Sequence, residues 1–135
     1  MTDHSNRPKL SRNQDLVFRA LAKAGTPLSA YSILDAVRDK GIKAPLQVYR
    51  ALEKLCELEL VHRIDSLNAF IICSHKGCAT TSALVFEICD DCGSVSELSD
   101  DIIANQIASR ARSDRFELNS STIELHGRCQ NCNQM

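Results

Sequence analysis

The chain has 135 residues, of which only 4% are aromatic and none is Trp, so we expect one medium domain or two very small ones rather than one large core. No apolar run approaches the roughly 18 residues of a membrane span, and the first ten residues lack the pattern of a signal peptide. We therefore expect a cytoplasmic protein without a membrane partner. In that reducing compartment its seven cysteines favour metal ligands or reactive thiols over disulfides.

The two halves of the chain differ in charge. Residues 1 to 63 hold eleven Lys and Arg against seven Asp and Glu, a net of +4, whereas residues 64 to 135 hold five against ten, a net of −5. A basic half suits a polyanion such as nucleic acid, and an acidic half that is rich in cysteine suits cations.

The N-terminal half predicts three helices followed by a hairpin. An apolar stripe at helical spacing runs through "SRNQDLVFRALAKAG" and ends at Gly25. The second helix begins after Ser29 as N-cap and stops at Gly41, and the third has Pro45 in its first turn and an apolar stripe that reaches Leu58. The period then becomes extended in "LVHRIDSLNAFIIC", with turn residues in "DSLN". Three helices and a hairpin predict a winged helix-turn-helix over residues 1–73.

The C-terminal half predicts a small α/β domain over residues 83–135, reached through a linker at residues 74–82, "SHKGCATTS". We expect a strand in "ALVFEIC", a tight turn in "DDCG" and a second strand in "SVSEL". An amphipathic helix follows, with Ile102, Ile103 and Ile107 on one side. "RFELNSSTIELHGRC" predicts one long strand or a strand pair around "NSS". The fold class is therefore α+β.

Two CxxC pairs are the most specific metal signal in the chain: Cys89 with Cys92, and Cys129 with Cys132. A CxxC turn can direct both thiolates at one ion, and two such turns complete a closed tetrahedral site that suits Zn²⁺. Such an ion would cross-link the first and last strands of a domain with little core. The alternatives are a redox disulfide motif or unligated core thiols, but the acidic "CDDC" disfavours a reactive thiolate.

A second, looser set of zinc donors comes from separate parts of the chain. They lie on the first hairpin strand, at the end of the second, in the linker, and on the strand after "DDCG": His62, Cys73, His75, Cys78 and Glu97. Taken singly, each has an ordinary interpretation as a surface or core residue.

The third helix, "PLQVYRALEKL", is the predicted recognition helix of a DNA-binding domain. Its first turn and a half, the part that meets base edges in the major groove, contains Gln47, Tyr49 and Arg50. The candidates for phosphate contacts are Arg12, Arg19, Lys43 and Tyr31. The alternative is that Tyr49 packs in the core and Arg50 is merely solvated.

Four segments together resemble the ferric uptake regulator family, and its zinc uptake regulator branch in particular: "VYRALEKL", "LVHRIDSLNAFIIC", "ICDDCG" and "HGRCQNC". The resemblance extends from Arg12 to Cys132. It implies a winged-helix domain joined by a hinge to an α/β dimerisation domain, in a homodimeric, metal-activated repressor that binds double-stranded operator DNA.

The resemblance also implies roles for single residues. The four CxxC cysteines correspond to a structural zinc site, His62, Cys73 and Glu97 correspond to a regulatory site, and Tyr31 and Arg50 correspond to DNA contacts. Two zinc ions per chain are expected, with neither catalysis nor a small-molecule substrate.

Two departures from the family pattern bear on the metal. The His-rich run that precedes the first CxxC in the iron and peroxide branches is absent. The fourth regulatory ligand of the zinc branch is usually a His, whereas Cys78 stands at that place here, with His75 as the competitor. The hypothesis is a zinc-responsive repressor of zinc-uptake genes with palindromic operators. The alternatives are a regulator in the same family that responds to iron, manganese or peroxide, and a zinc-bound interaction or thiol-redox module without DNA binding.

Overall fold

The computed structural model describes residues 8–73 and 83–133, and the chain divides into two compact units between Cys73 and Ser74. Each unit combines helices with a small sheet, which confirms the predicted α+β class. Within the described ranges, none of the helices combines the length and the apolar character needed to cross a bilayer.

The first helix, α1 (Arg12–Ala24), ends where the sequence predicts and begins with a capping box at Ser11. The Ser11 hydroxyl accepts the backbone N–H of Gln14 at 3.2 Å, and the Gln14 side chain accepts the N–H of Ser11 at 3.0 Å. This reciprocal pair satisfies two N–H groups that a helix start would otherwise leave without partners. Gly25 ends the helix at φ 66°, a left-handed conformation that costs little without a Cβ atom.

The second helix is shorter than its predicted span. Ser29 caps α2 (Ala30–Val37) as expected, but a single 3-10 turn, Arg38–Lys40, replaces the last α-helical turn. Gly41 ends that turn at φ 103°. The 3-10 turn tightens the helix end and uses carbonyl groups that have no α-helical partner.

The third helix, α3 (Pro45–Glu57), divides its surface between core and solvent. Pro45 occupies the first position, where its missing N–H has no helical partner to lose. Four buried residues follow at i, i+3, i+4 and i+7, the spacing of one helix face: Val48, Ala51, Leu52 and Leu55. This face joins the core of the N-terminal unit, whose fully buried members from α1, α2 and the following turn include Val17, Leu21, Ile33, Val37 and Ile42.

The predicted hairpin is present. Strands β1 (Val61–Ile64) and β2 (Ala69–Ile72) pair antiparallel, with His62 opposite Ile71. The turn between them contains Asn68 at φ 47°, and Asn tolerates this left-handed conformation better than most residues. Three helices and this hairpin complete the winged helix-turn-helix.

The C-terminal unit is built on a three-stranded sheet. β3 (Ala83–Cys89) lies in the centre, between β4 (Val95–Leu98), which is antiparallel to it, and β5 (Ser121–Gly127), which is parallel to it. The parallel pairing requires a crossover, and α4 (Asp101–Ser113) lies in that connection. The first and last strands of the unit are therefore neighbours in space.

Two predictions for this unit need correction. The last segment forms a single strand at 121–127, and residues 116–120 lie in no strand. On α4 the buried residues are Ala104 and Ala111, whereas Ile102 is 73% exposed. At 100° per residue, Ile102 lies nearly opposite Ala111, so the isoleucines do not form one buried side.

The core of the N-terminal unit allows a direct test. We predict that Leu55→Ala, at a position that is 0% exposed, lowers the stability of this unit by about 2–5 kcal/mol because it leaves a cavity. Hydrogen exchange of α1 to α3 amides should accelerate accordingly. Leu46→Ala is the matched control, since Leu46 is 57% exposed on the same helix; equal acceleration in both variants would contradict the assignment of the buried face.

Candidate metal centre and nucleic-acid interface

The pairing of β3 with β5 brings the two CxxC turns together. Cys89, the last residue of β3, lies opposite Gly127, the last residue of β5. One residue beyond, the N–H of Asp90 donates to the carbonyl oxygen of Gly127 at 2.8 Å. Because both strands end at the same edge, the turns that follow them, with Cys92 on one and Cys129 and Cys132 on the other, are adjacent.

The four sulfur atoms form one cluster: the Sγ atoms of Cys89, Cys92, Cys129 and Cys132 all lie within 4.8 Å of one another. The Sγ atoms of Cys92 and Cys129 are 3.7 Å apart. A tetrahedral zinc site with Zn–S bonds of about 2.3 Å has sulfur atoms about 3.8 Å apart. Four cysteine donors with this spacing suit a closed structural zinc site better than a redox pair, for which two thiols are enough.

Hydrogen bonds within the cluster already favour a thiolate at Cys89. Its Sγ accepts the N–H of Cys129 at 3.3 Å and that of Cys92 at 3.4 Å, and these bonds lower the pKa of Cys89 to about 6. The neighbouring sulfurs of Cys129, Cys92 and Cys89 raise the pKa of Cys132 to about 12. Without a cation the four groups therefore cannot all ionise at neutral pH, whereas zinc ligation requires thiolates.

The two cysteine turns are also connected by side chains that the motif search did not single out. His126 Nδ1 lies 3.4 Å from an Asp90 carboxylate oxygen, and Arg128 Nε lies 3.0 Å from an Asp91 carboxylate oxygen. Each contact joins the turn after β3 to the end of β5 or the residue just beyond it. The signal in the sequence was the pair of acidic residues inside "CDDC", which faces basic residues in "HGRC".

Two members of the second predicted set lie together in the N-terminal unit. His62 is buried on β1, and Cys73 directly follows β2, where its N–H donates to the carbonyl oxygen of Leu60 at 3.0 Å. A ring nitrogen of His62 and the Sγ of Cys73 lie within 4.8 Å of each other. Cys73 is disulfide-bonded in the structure, and zinc ligation would require its reduced thiolate.

The remaining members of that set belong to other parts of the chain. Glu97 is half-buried on β4, opposite Phe86 of β3. His75 and Cys78 lie outside the described residues.

The predicted recognition face of α3 is open to solvent. Tyr49 is 43% exposed, and Arg50 and Lys43 are exposed as well, so the alternative of a core tyrosine is wrong. Gln47, the other predicted base contact, is also exposed, and its Oε1 accepts the N–H groups of Lys43 and Ala44, both at 3.2 Å. Its amide oxygen therefore caps the start of the helix.

The predicted phosphate contacts fall into two groups. Tyr31 is 64% exposed in the first turn of α2, as a phosphate contact requires. The two arginines already have partners within the chain: Arg12 Nη2 donates to the Lys40 carbonyl oxygen at 2.7 Å, and Arg19 Nε donates to Asp15 at 2.8 Å. Arg12 thus ties the start of α1 to the turn after α2, and Arg19 is an exposed ion pair on one helix.

The sequence model of the ferric uptake regulator family matches residues 6–126. The chain belongs to this family. Family members are transcription regulators and not enzymes. The chain is 34% identical over 117 residues to the zinc uptake regulation protein of Escherichia coli strain K12, covering 86% of this chain and 68% of that protein. It is 28% identical over 135 residues to the ferric uptake regulation protein of Bacillus subtilis strain 168, covering 96% and 89%.

Solved structures support the same placement within the ferric uptake regulator family. Holo XcZur has a TM-score of 0.83 at 38% identity, covering 94% of this chain and 88% of that one. A zinc uptake regulator complexed with zinc and DNA has a TM-score of 0.84 at 29% identity, covering 94% and 85%. The family resemblance expected from the motifs is confirmed.

The four-cysteine cluster predicts that mutation of one of its cysteines removes bound zinc. Cys89→Ser should lower the zinc content by about one ion per chain and unfold the C-terminal unit, because the ion supplies folding energy there. Elemental analysis after gel filtration would measure the zinc, and circular dichroism the fold. Cys56→Ser is the matched control, since Cys56 lies on α3 of the N-terminal unit and is not one of the four clustered cysteines. An unchanged zinc content in Cys89→Ser would contradict the assignment.

Proposed function

We propose that this protein is a zinc-responsive transcriptional repressor, which as a zinc-loaded homodimer binds palindromic operators of zinc-uptake genes in the cytoplasm. The observation that carries the proposal is the combination, in one chain, of a solvent-exposed face on α3 with a cluster of four thiols spaced closely enough to ligate one metal ion. The identity to the zinc uptake regulation protein of Escherichia coli, 34%, and the likeness to a zinc uptake regulator complexed with zinc and DNA support it.

The proposal assigns two zinc ions to each chain. The first is structural and is held by Cys89, Cys92, Cys129 and Cys132, in agreement with their mutual distances. The second is regulatory and is held by His62, Cys73 and Glu97, with Cys78 or His75 as the fourth ligand. The short distance between the His62 and Cys73 donor atoms supports two of these ligands.

The regulatory set is proposed to work because its donors come from different parts of the chain. His62 belongs to the wing, Cys73 to the start of the linker, and Glu97 to the C-terminal unit. Bound zinc supplies a cross-link between the side chains that ligate it. With His62 and Glu97 held by the same ion, the wing would keep a fixed orientation relative to the unit through which two chains associate.

Fixing that orientation would raise DNA affinity by linkage. In a dimer it sets the separation of two recognition helices, which must match half-sites about one helical turn, roughly 34 Å, apart. Without the cross-link the matching arrangement is one of many and its population is small. Zinc then increases DNA affinity by the factor by which it raises this population.

The donor set also bears on the choice of metal. Cysteine thiolate is a soft ligand, which favours zinc over Fe²⁺ or Mn²⁺, and imidazole is compatible with zinc. The alternative regulators of iron, manganese or peroxide would differ in the metal that promotes DNA binding. Titration of operator binding with each metal at controlled free concentration distinguishes them.

The C-terminal unit has surfaces that suit association with a second copy. Its exposed large apolar side chains include Ile102, Phe116 and Leu125, at 73%, 65% and 47% exposure. Phe116 also lines a cavity of about 400 Å³ together with Ile107, Ala111 and Leu118. Apolar surface of this kind is characteristic of subunit interfaces.

Mutations in the two proposed zinc sites should have different effects on folding, dimerisation and DNA binding. In reduced protein, His62→Ala and Cys73→Ser should each keep the fold, the dimer and one zinc ion per chain, but lose the zinc-dependent increase in operator affinity. Cys89→Ser should instead lose the fold of the C-terminal unit and the dimer. Fluorescence anisotropy with labelled operator DNA at buffered zinc, together with sedimentation velocity, measures these properties.

The matched control for this test is Cys56→Ser, which changes a cysteine of the same unit as Cys73 and should respond to zinc like the wild type. If His62→Ala or Cys73→Ser kept the full zinc response, the regulatory assignment would fail. If they unfolded like Cys89→Ser, the division into a structural and a regulatory site would fail.

The dimer surface predicts a separate effect. Phe116→Asp should shift the protein towards monomer, because an interface that buries a new unpaired carboxylate loses free energy. Sedimentation velocity across a concentration series measures the shift. Leu67→Asp is the control, since Leu67 is 40% exposed in the wing turn of the other unit. A Phe116→Asp protein that remained dimeric at the lowest concentrations would exclude Phe116 from the interface.

A further inference from the structure

One exposed side chain on α3 has no role in the functions assigned so far. Leu46 is 57% exposed in the first turn of the helix. It is three residues before Tyr49 and four before Arg50, so the three side chains share one face. This face is distinct from the buried one formed by Val48, Ala51, Leu52 and Leu55.

The exposed apolar side chains of the N-terminal unit are concentrated in elements that a winged helix presents to DNA. Among its described residues, the large hydrophobic side chains that remain exposed are Tyr31, Leu46, Tyr49 and Leu67. They lie in the first turn of α2, in the first turns of α3 and in the wing turn. Leu46 is the aliphatic one on the recognition helix.

An aliphatic side chain has one preferred apolar partner among the base edges of the major groove. The C5-methyl of thymine is the largest apolar group displayed there, and most of the others are hydrogen-bond donors or acceptors. The N-terminal residues of a recognition helix are the ones that reach base edges. The positive charges of Arg50 on the same face and of Lys43 just before the helix match the charge of the DNA.

The first turn also holds its shape without DNA. Gln47 Oε1 accepts the N–H groups of Lys43 and Ala44, both at 3.2 Å, and Pro45 fixes its own φ. Leu46 lies between Pro45 and Gln47, in the turn that these two residues hold in place. Its backbone position is therefore set before binding, which reduces the ordering cost on association.

We propose that Leu46 is a specificity-determining residue that contacts the C5-methyl group of a thymine in each operator half-site. This inference rests on the proposed DNA-binding function and adds a base preference to it. Arg50 and Tyr49 offer hydrogen-bonding groups on the same face, whereas Leu46 selects thymine over cytosine or uracil at one position.

The test uses the full-length, zinc-loaded protein and an operator selected from a random DNA pool. Each thymine of the selected site is replaced in turn by deoxyuridine, which lacks only the methyl group. At one position in each half-site, replacement of thymine by deoxyuridine should lower the affinity of the wild-type protein for the operator about fourfold, because burial of one methyl group contributes about that factor. Replacement at the other positions should have a smaller effect. Leu46→Ala should bind the unmodified operator more weakly than the wild type does, by about the same factor. Its affinity should not fall further when the thymine at that position is replaced by deoxyuridine.

Leu67→Ala is the matched control, because it removes an exposed leucine from the wing and should retain the full deoxyuridine effect. Affinity for unrelated DNA should be equal in wild type and Leu46→Ala. If wild type binds the selected operator in a zinc-dependent way but Leu46→Ala keeps every deoxyuridine effect, the Leu46 assignment is overturned and the proposed function stands. If zinc promotes no DNA binding in the wild type, both are overturned.

Discussion

The parallel pairing of β3 with β5 is the constraint on which the C-terminal unit depends. It places Cys89 opposite Gly127 and so brings two CxxC turns, about forty residues apart in the sequence, to one edge of a sheet. The four thiols cannot all ionise together at neutral pH. Hydrogen bonds from backbone N–H groups lower the pKa of Cys89 to about 6, whereas the neighbouring sulfur atoms raise the pKa of Cys132 to about 12. A divalent cation removes this conflict, because it stabilises all four thiolates at once.

The two units differ in how they are stabilised, and this difference bears on the roles of the two zinc ions proposed above. The N-terminal unit has an extended apolar core shared by three helices, so its fold needs no ion. In the C-terminal unit the buried hydrophobic residues lie mainly on β3, and α4 contributes only two alanines. A zinc ion bound there would supply part of the folding free energy. Removal of the proposed structural zinc is therefore expected to unfold this unit, whereas exchange of the proposed regulatory zinc should leave both folds intact.

Local features were predictable from the sequence, and contacts between distant segments were not. Gly25, Ser29 and Pro45 set helix ends through their own local chemistry, and all three appear where expected. The two CxxC pairs predicted that the first and last strands of the C-terminal unit lie close together, but not that they pair directly and in parallel, because a crossover through α4 leaves no local signal. The exposure of Ile102 was missed because apolar residues were grouped by proximity, although Ile102 is rotated by about 100° from Ile103 and about 140° from Ile107 on a helix. The cap that the Gln47 oxygen forms at the start of α3 was not predicted, because it depends on the path of the preceding turn.

The division of α3 into two faces links stability to recognition in a single helix. Residues at positions 48, 51, 52 and 55 fix the helix in the core, and their spacing leaves positions 46, 49 and 50 on the opposite side. Because the buried face holds the helix rigidly, the exposed face meets DNA without a large ordering cost. The specificity of this face is then independent of zinc, since both side chains and backbone are set within the N-terminal unit. Zinc would alter only the separation of two such faces in a dimer. Mutations of the exposed face would therefore change the preferred DNA sequence, and mutations of the zinc ligands would change the response to zinc, each without the other.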